Sequence, residues 1–220
     1  MTTDLHLVIA NKAYSSWSLR PWIAMKVKKL PFKETIIPLA ETDTSAKIKQ
    51  FSPAGKVPVL LHGGIAVWDS LAILDYLADQ FFDQHWWPSD PHARALARSI
   101  SAEMHSGFTH LRSNLGMNVR KTFAARPHAP EVEADIARIT AIWRECRTKF
   151  GAGGPYLFGD FSNADAMYAP VVTRFKTYNV SLDPVCAAYS EAVLNLPAMQ
   201  EWYAAAAVEP WVVAKYEATP

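Results

Sequence analysis

Three short stretches place hydroxyls, a carboxylate and a proline where a helix or a strand begins. The first, Tyr14-Ser15-Ser16-Trp17-Ser18-Leu19-Arg20, lies between an apolar run and a helical pattern. Hydroxyls there face the positive end of a helix, where the dipole and hydrogen bonds from hydroxyl and amide favour a thiolate. A serine in that place is also an ordinary N-cap. Pro21 bears on the choice, because proline fits without loss only in the first turn, where its missing N–H would be unpaired anyway. It predicts regular helix from about Ser18 onward, with Ser15 and Ser16 in the loop before it.

The second stretch is Gly55-Lys56-Val57-Pro58-Val59-Leu60. A proline in a strand-like run belongs at an edge, a strand start or a bulge. A cis Val57–Pro58 bond would turn the Val57 amide and carbonyl outward, ready to pair with an extended peptide; a trans proline at an edge is the plainer alternative. The third stretch, Trp68-Asp69-Ser70, opens a helical pattern. The Ser70 hydroxyl and the helix amides can hold a carboxylate, and the Asp69 carboxylate can pair with an ammonium beside it; an ordinary N-cap is the plainer alternative. Together the three stretches would hold a peptide with a thiol in its middle and an amino-acid head at one end.

The elements that must position them follow from the apolar pattern. Leu5 to Ala10 reads as a short buried strand, and Lys33 to Ile37 as a second, β-branched one. A helical pattern through Trp22, Ile23, Met25, Val27 and Leu30 lies between them. Asp43 to Gln50 suggests a short helix. Val57 to Leu61 and Ile65 to Val67, separated by His62-Gly63-Gly64, read as a hairpin. Leu71, Ile73, Leu74, Leu77 and Phe81 form the apolar face of a third helix. The order βαβαββα implies a sheet with parallel pairing and an antiparallel end, the order of a thioredoxin-type α/β fold.

The pattern changes at Trp86-Trp87-Pro88-Ser89-Asp90-Pro91, where Asp90 can cap a new helix with Pro91 in its first turn. Beyond it only helices are expected. Leu96, Ile100, Met104, Phe108, Leu111 and Leu115 keep one helical spacing, and Ile136, Ile139, Trp143 and Phe150 another. Gly151 to Gly154 lacks any phosphate-cradle spacing and reads as a helix-ending loop. Ser162-Asn163-Ala164-Asp165 is a capping box with Asp in place of Glu. It opens the nearly all-apolar run Ala166 to Val172, which predicts a buried helix kinked at Pro170. A last helix begins near Pro197.

Composition narrows the function. Half of the 220 residues are hydrophobic and the formal charge is +1, so no field points to nucleic acid or an anionic membrane. The start carries no signal-peptide pattern, and no apolar run is long enough to span a bilayer. Cys146 and Cys186 form no CxxC, which fits a reducing cytoplasm. The seven histidines show no HExxH or paired spacing, so no metal is expected. His105 and His110 read as surface or satisfied helix residues. Arg112 either reaches the cleft to meet an acidic substrate or is a solvated charge.

FSPAGKVPVL and WDSLAILDYLAD resemble the cis-proline and glutamyl-binding signatures of the glutathione transferase superfamily, and GDFSNADAMYAPVV resembles its second-half capping box and buried helix. The resemblance covers nearly the whole chain. It implies a thioredoxin-like glutathione-binding domain over 1–84 and an all-helical domain over 90–220. SSWS resembles the SSCS motif of the zeta class, the maleylacetoacetate isomerase type, with Trp17 where that class has cysteine. By that match Ser15 would stabilise the glutathione thiolate, with Ser16 as the alternative, and Trp17 would adjoin the bound peptide. Lys56 would meet the glycyl carboxylate, Val57 with Pro58 would supply the backbone pair, and Asp69 and Ser70 would hold the γ-glutamyl group. Phe108, Arg112 and Trp211 are expected to wall the electrophile pocket. An arginine near Thr177 would also fit that class; Arg174 stands one turn earlier.

The expected activity is addition of glutathione, as co-substrate, to a small electrophile. Alternatives are a zeta-type cis–trans isomerase, a glutathione-dependent reductase or peroxidase, which on this fold often uses a cysteine that is missing here, and a non-catalytic ligand- or partner-binding module. The resemblance also implies a homodimer.

Overall fold

The computed structural model describes residues 4–217. The two hydrophobic runs that bracket the first helix become β1 (His6–Ala10) and β2 (Lys33–Ile37), paired in parallel from His6↔Lys33 to Ala10↔Ile37. The hairpin is β3 (Val59–His62) and β4 (Ile65–Trp68), turned at Gly63 and Gly64. Both glycines have positive φ (55° and 84°), which a two-residue turn matching strand twist requires. β3 runs antiparallel to β1, giving the sheet order β2-β1-β3-β4.

Alternation along β1 assigns the two faces of the sheet. Leu7 and Ile9 enter a core shared with Leu60, with Trp22 and Ile23 of α1 (Ser16–Val27), and with Leu74 and Leu77 of α3 (Ser70–Gln80). Val8 faces the other way and packs with Ile37, Val59 and Ile48 of the short α2 (Thr44–Lys49).

Six helices follow among the described residues: α4 (Pro91–Ser106), α5 (Thr109–Asn114), α6 (Pro130–Phe150), α7 (Asn163–Thr177), α8 (Pro184–Leu194) and α9 (Pro197–Ala207). The single helical spacing from Leu96 to Leu115 is broken in space. Gly107 is extended and Phe108 adopts φ 55°, so α4 stops and α5 restarts; a Cβ on Gly107 would lie 2.8 Å from the Glu103 carbonyl oxygen, which favours glycine at the break. The apolar period survives because the core continues across the break. α8 is an element the apolar spacing does not reveal. Its signal is Asp183-Pro184, where the Asp183 carboxylate accepts from the Val185 and Cys186 amides at 3.0 and 3.1 Å.

α7 is the central helix, packed against α1, α4 and α8, with every residue but Lys176 buried. The expected capping box is present: Asp165 accepts from the Ser162 amide (2.8 Å), the Ser162 hydroxyl (3.0 Å) and the Leu157 amide (3.0 Å). Burial pushes the Asp165 carboxyl up to about 6 against these bonds. The helix continues through Pro170 to Thr177.

Candidate active site

The loop from β1 to α1 is held from outside its own part of the chain. Glu209, near the C-terminal end, accepts from the Lys12 amide (2.6 Å) and the Ala13 amide (3.0 Å) and is itself buried. Trp202 of α9 donates its indole N–H to the Lys12 carbonyl (2.8 Å), and the Val119 amide donates to the Ala13 carbonyl (3.1 Å). Tyr14 donates to Glu217 (2.5 Å) and receives a guanidinium N–H from Arg120. The helical part of the molecule thus fixes the backbone that presents Ser15.

Helix α1 begins at Ser16, two residues before the start predicted from Pro21. Ser15 is its N-cap, accepting weakly from the Ser18 amide (3.4 Å), and the Ser15 carbonyl accepts from Leu19 (3.2 Å). Pro21 therefore sits inside the helix, bringing no N–H to the Trp17 carbonyl. The cap, and not the proline, sets the start. Ser15 also donates to the Ser18 hydroxyl (2.7 Å), which accepts in turn from the Ala10 amide (3.1 Å). No acidic side chain occupies the first turn, so its positive end is not neutralised from within.

A cleft of about 590 Å³ is lined by Trp17, Ala54, Lys56, Val57, Pro58, Trp68, Asp69, Ser70 and His105. It gathers all six residues expected to bind the peptide. The Val57–Pro58 bond is cis. Val57 lies just before the ladder, which begins at Val59, so its amide and carbonyl take no part in the sheet. Lys56 is exposed at the rim. Asp69 caps α3 from a positive φ of 76°, its Oδ1 accepting from the Leu71 (2.9 Å) and Ala72 (3.3 Å) amides. Its Oδ2 faces His105 Nε2 at 3.2 Å. Ser70, 1% exposed, accepts from Arg20 Nη1 at 3.3 Å.

Around Trp17 the site is cationic. The Arg20 guanidinium lies 4.2 Å from the ring centroid and that of Arg112 5.3 Å, while the His105 ring meets its edge at 5.3 Å. Burial, aided by Arg174 and Arg112, lowers Arg20 to about 9, still charged at neutral pH. Burial also lowers Arg112. It lowers His105 too, against the opposing pull of Asp69 and with help from Arg20 and Arg112. Arg112 is thus a half-buried side chain above Trp17 whose Nη1 donates to the His105 carbonyl (2.9 Å), and not a solvated charge.

Of the three residues expected to wall the electrophile pocket none lines this cleft; Arg112 comes nearest, over the Trp17 ring. Phe108 is buried in the main core, and Trp211 is held on the C-terminal segment, its carbonyl accepting from Arg120 (2.9 Å); neither lines the cleft. Ser15 and Ser16 stand at the α1 start next to the lining residue Trp17, Ser15 buried and Ser16 half-buried. Arg174 is buried and donates to the Leu115 (2.8 Å) and Pro170 (3.2 Å) carbonyls.

Sequence reasoning missed Ser18, His105 and Glu209, and it gave Arg20 no role. Ser18 carried a signal, since a serine three after a capping serine can meet it across one turn. His105 and Glu209 carried none, because only the packing of one half of the chain on the other brings them here.

Among the described residues no group of three or more histidine, cysteine or acidic side chains is placed to hold a metal ion. Among the same residues no helix is long and apolar enough to cross a membrane.

Residues 14–80 match the glutathione S-transferase N-terminal domain, and residues 129–205 the glutathione S-transferase C-terminal domain. The chain is 30% identical over 193 residues to the maleylacetoacetate isomerase of Rattus norvegicus, covering 84% of this chain and 87% of the relative. It is 27% identical over 174 residues to a probable maleylacetoacetate isomerase of Caenorhabditis elegans, covering 77% and 79%. Its fold matches a solved Burkholderia glutathione transferase homologue with bound glutathione at a TM-score of 0.70 and 21% identity, over 92% of this chain and 98% of that one. With both halves matched and a cis-proline cleft between strand and helix starts, the chain belongs to the glutathione S-transferase family.

Proposed function

We propose that the chain is a glutathione transferase-like enzyme that activates the glutathione thiol with Ser15 for attack on a small electrophile. The observation that carries this reading is the convergence of Trp17, Lys56, Val57, Pro58, Asp69 and Ser70 on one cleft beside the uncharged first turn of α1. In this reading the Ser70 hydroxyl and main-chain amide hold the glutamyl carboxylate, since Asp69 already takes the Leu71 and Ala72 amides, while Asp69 meets the ammonium, Val57 the peptide backbone and Lys56 the glycyl carboxylate.

A free thiol has a pKa of about 8.5, and lowering it by two units stabilises the thiolate by about 2.7 kcal/mol. A hydroxyl donor at a helix N-terminus is of the right size to supply this. A hydroxyl pair can pass its hydrogen either way. If Ser18 donates to Ser15, the Ser15 hydrogen is free for sulfur, and the Ala10 amide, Ser18 and Ser15 form a chain that strengthens the last donor. The thiol proton leaves to solvent. The sulfur pair then forms the bond to the electrophile's carbon, and the leaving group departs with its own pair. Ser16 is the alternative donor. Arg112 with Trp17 forms the wall nearest the sulfur, and a homodimer belongs to the same reading.

A zeta-type isomerase is the second reading, favoured by the likeness to the maleylacetoacetate isomerases and by Arg112, whose charge suits an anionic substrate. Titration of the thiolate absorbance of bound glutathione tests the primary reading. We expect a depressed pKa that S15A restores toward the free value; an unshifted pKa would remove the serine role. Turnover of maleylacetoacetate above that of every electrophile in a conjugation panel would put the isomerase first. Failure to be retained on immobilised glutathione would favour a non-catalytic module.

A further inference from the structure

Arg20 buries a guanidinium, 1% exposed, with no carboxylate in ion-pair contact among the described residues. Its Nε has no partner, its Nη1 reaches only the Ser70 hydroxyl, and its face rests on Trp17. Such a cation is costly to bury unless an opposite charge compensates it. Arg174 and Arg112 add positive potential, which the Asp69 carboxylate, outside ion-pair contact, offsets only in part. Arg174 is buried too, but it has a self-contained role, donating to the Leu115 carbonyl at the end of α5 and to the Pro170 carbonyl of its own helix. Arg20 has no equivalent pair of carbonyls. Its single hydrogen bond ends on a residue that lines the cleft.

That bond has a direction. The Ser70 oxygen accepts from Arg20 with a lone pair, so its own hydrogen is left to point elsewhere, and the open side of Ser70 is the cleft. We infer that Arg20 is a positioning residue for the thiol peptide: it aims the Ser70 hydroxyl at the glutamyl α-carboxylate and supplies the counter-charge behind it. The inference rests on the reading of Ser70 as the carboxylate holder. It makes the empty protein carry an unmatched charge that the bound carboxylate neutralises, so Arg20 sets the preference of the site for a ligand with an α-carboxylate at that end.

Three measurements on the full chain test this: thermal stability without ligand, and affinity by calorimetry for glutathione and for the analogue in which only the glutamyl α-carboxylate is amidated. For Arg20→Met we expect an unliganded Tm equal to or above that of the parent. Affinity for glutathione should fall about 10- to 100-fold, the range for a charge-assisted hydrogen bond, while affinity for the amide should change less than about threefold. An arginine that merely ties α1 to α3 would lower the Tm and weaken both ligands alike, and that result would overturn the inference. Arg20→Gln, which removes the charge but keeps a polar head, gives the same comparison if R20M does not fold. Failure of both to fold would also overturn it, because the empty protein should not require an unmatched cation. Ser70→Ala separates the two levels. If S70A leaves glutathione affinity unchanged, the reading of the site fails; if S70A weakens it and R20M does not, only the role of Arg20 fails.

Discussion

Helices α1 and α7 each follow a serine cap, Ser15 and Ser162, yet only α1 leaves its positive end open. At α7 an acid three residues on takes the cap's amide, its hydroxyl and a third donor from Leu157, all inside the core. The cap is closed and has nothing left for a ligand. At α1 the residue three after the cap is another serine. It brings no charge, and it joins Ser15 in a hydroxyl pair beside a cleft. Both segments read from sequence as cap candidates. The difference is one side chain, Asp165 against Ser18, and it separates a structural cap from one that can serve an anion.

Asp165 should show the largest effect. Asp165→Ala leaves three donors unpaired in the core, and we expect a loss of about 3 kcal/mol, roughly 6–12 °C in Tm, with glutathione affinity unchanged in the protein that remains folded. A loss below about 1 kcal/mol by denaturant titration would mean that the two caps do not differ as described. Ser15→Ala should reverse the pattern: stability lower by only about 1 kcal/mol, but conjugation rate lower by about 100-fold. Ser16→Ala should stay within about threefold of the parent; equal losses from S15A and S16A would break the contrast.

Glu209→Gln sharpens the comparison from the other side, since α1 depends on the C-terminal segment for its loop. The amide keeps one acceptor for the Lys12 and Ala13 N–H groups and loses the charge, so stability should fall by about 1–2 kcal/mol and kcat by about three- to tenfold, with KM little changed. The smallest effect belongs to His105. Its folded pKa lies below the usual 6.5, so below that value the unfolded chain holds the proton more readily than the folded protein. The stability set by this residue is therefore full above about pH 6.5 and falls as the pH drops below it. His105→Gln should flatten that part of the Tm–pH curve, leaving a residual slope from His6, which is lowered mainly by burial and also by Lys33.

Much of this was legible in the chain because it is local. The short apolar run LHLVIA and the β-branched KETII satisfy their backbone as paired strands, and Gly63-Gly64 permits the turn between β3 and β4. Asp90-Pro91 and Ser162 to Asp165 cap helices with atoms a few residues away, which needs no tertiary contact to predict. The division of Leu96–Leu115 into α4 and α5 was hidden because a period records only which face is apolar. It does not record a single positive φ at Phe108.

The site shows the same division. By itself the sequence determined that hydroxyls would stand at the start of α1, that Pro58 would sit at an edge, a start or a bulge of a strand, and that Asp69 and Ser70 would open α3, because each follows from residue type and neighbours. Only the tertiary structure decided that the loop before Ser15 would be held by Glu209, 197 positions from Lys12 and 196 from Ala13, that His105 would face Asp69, and that Arg112 would lie over Trp17. Those contacts join elements distant in the chain, and their geometry is fixed by how α1, α4 and α7 pack, which no local pattern encodes.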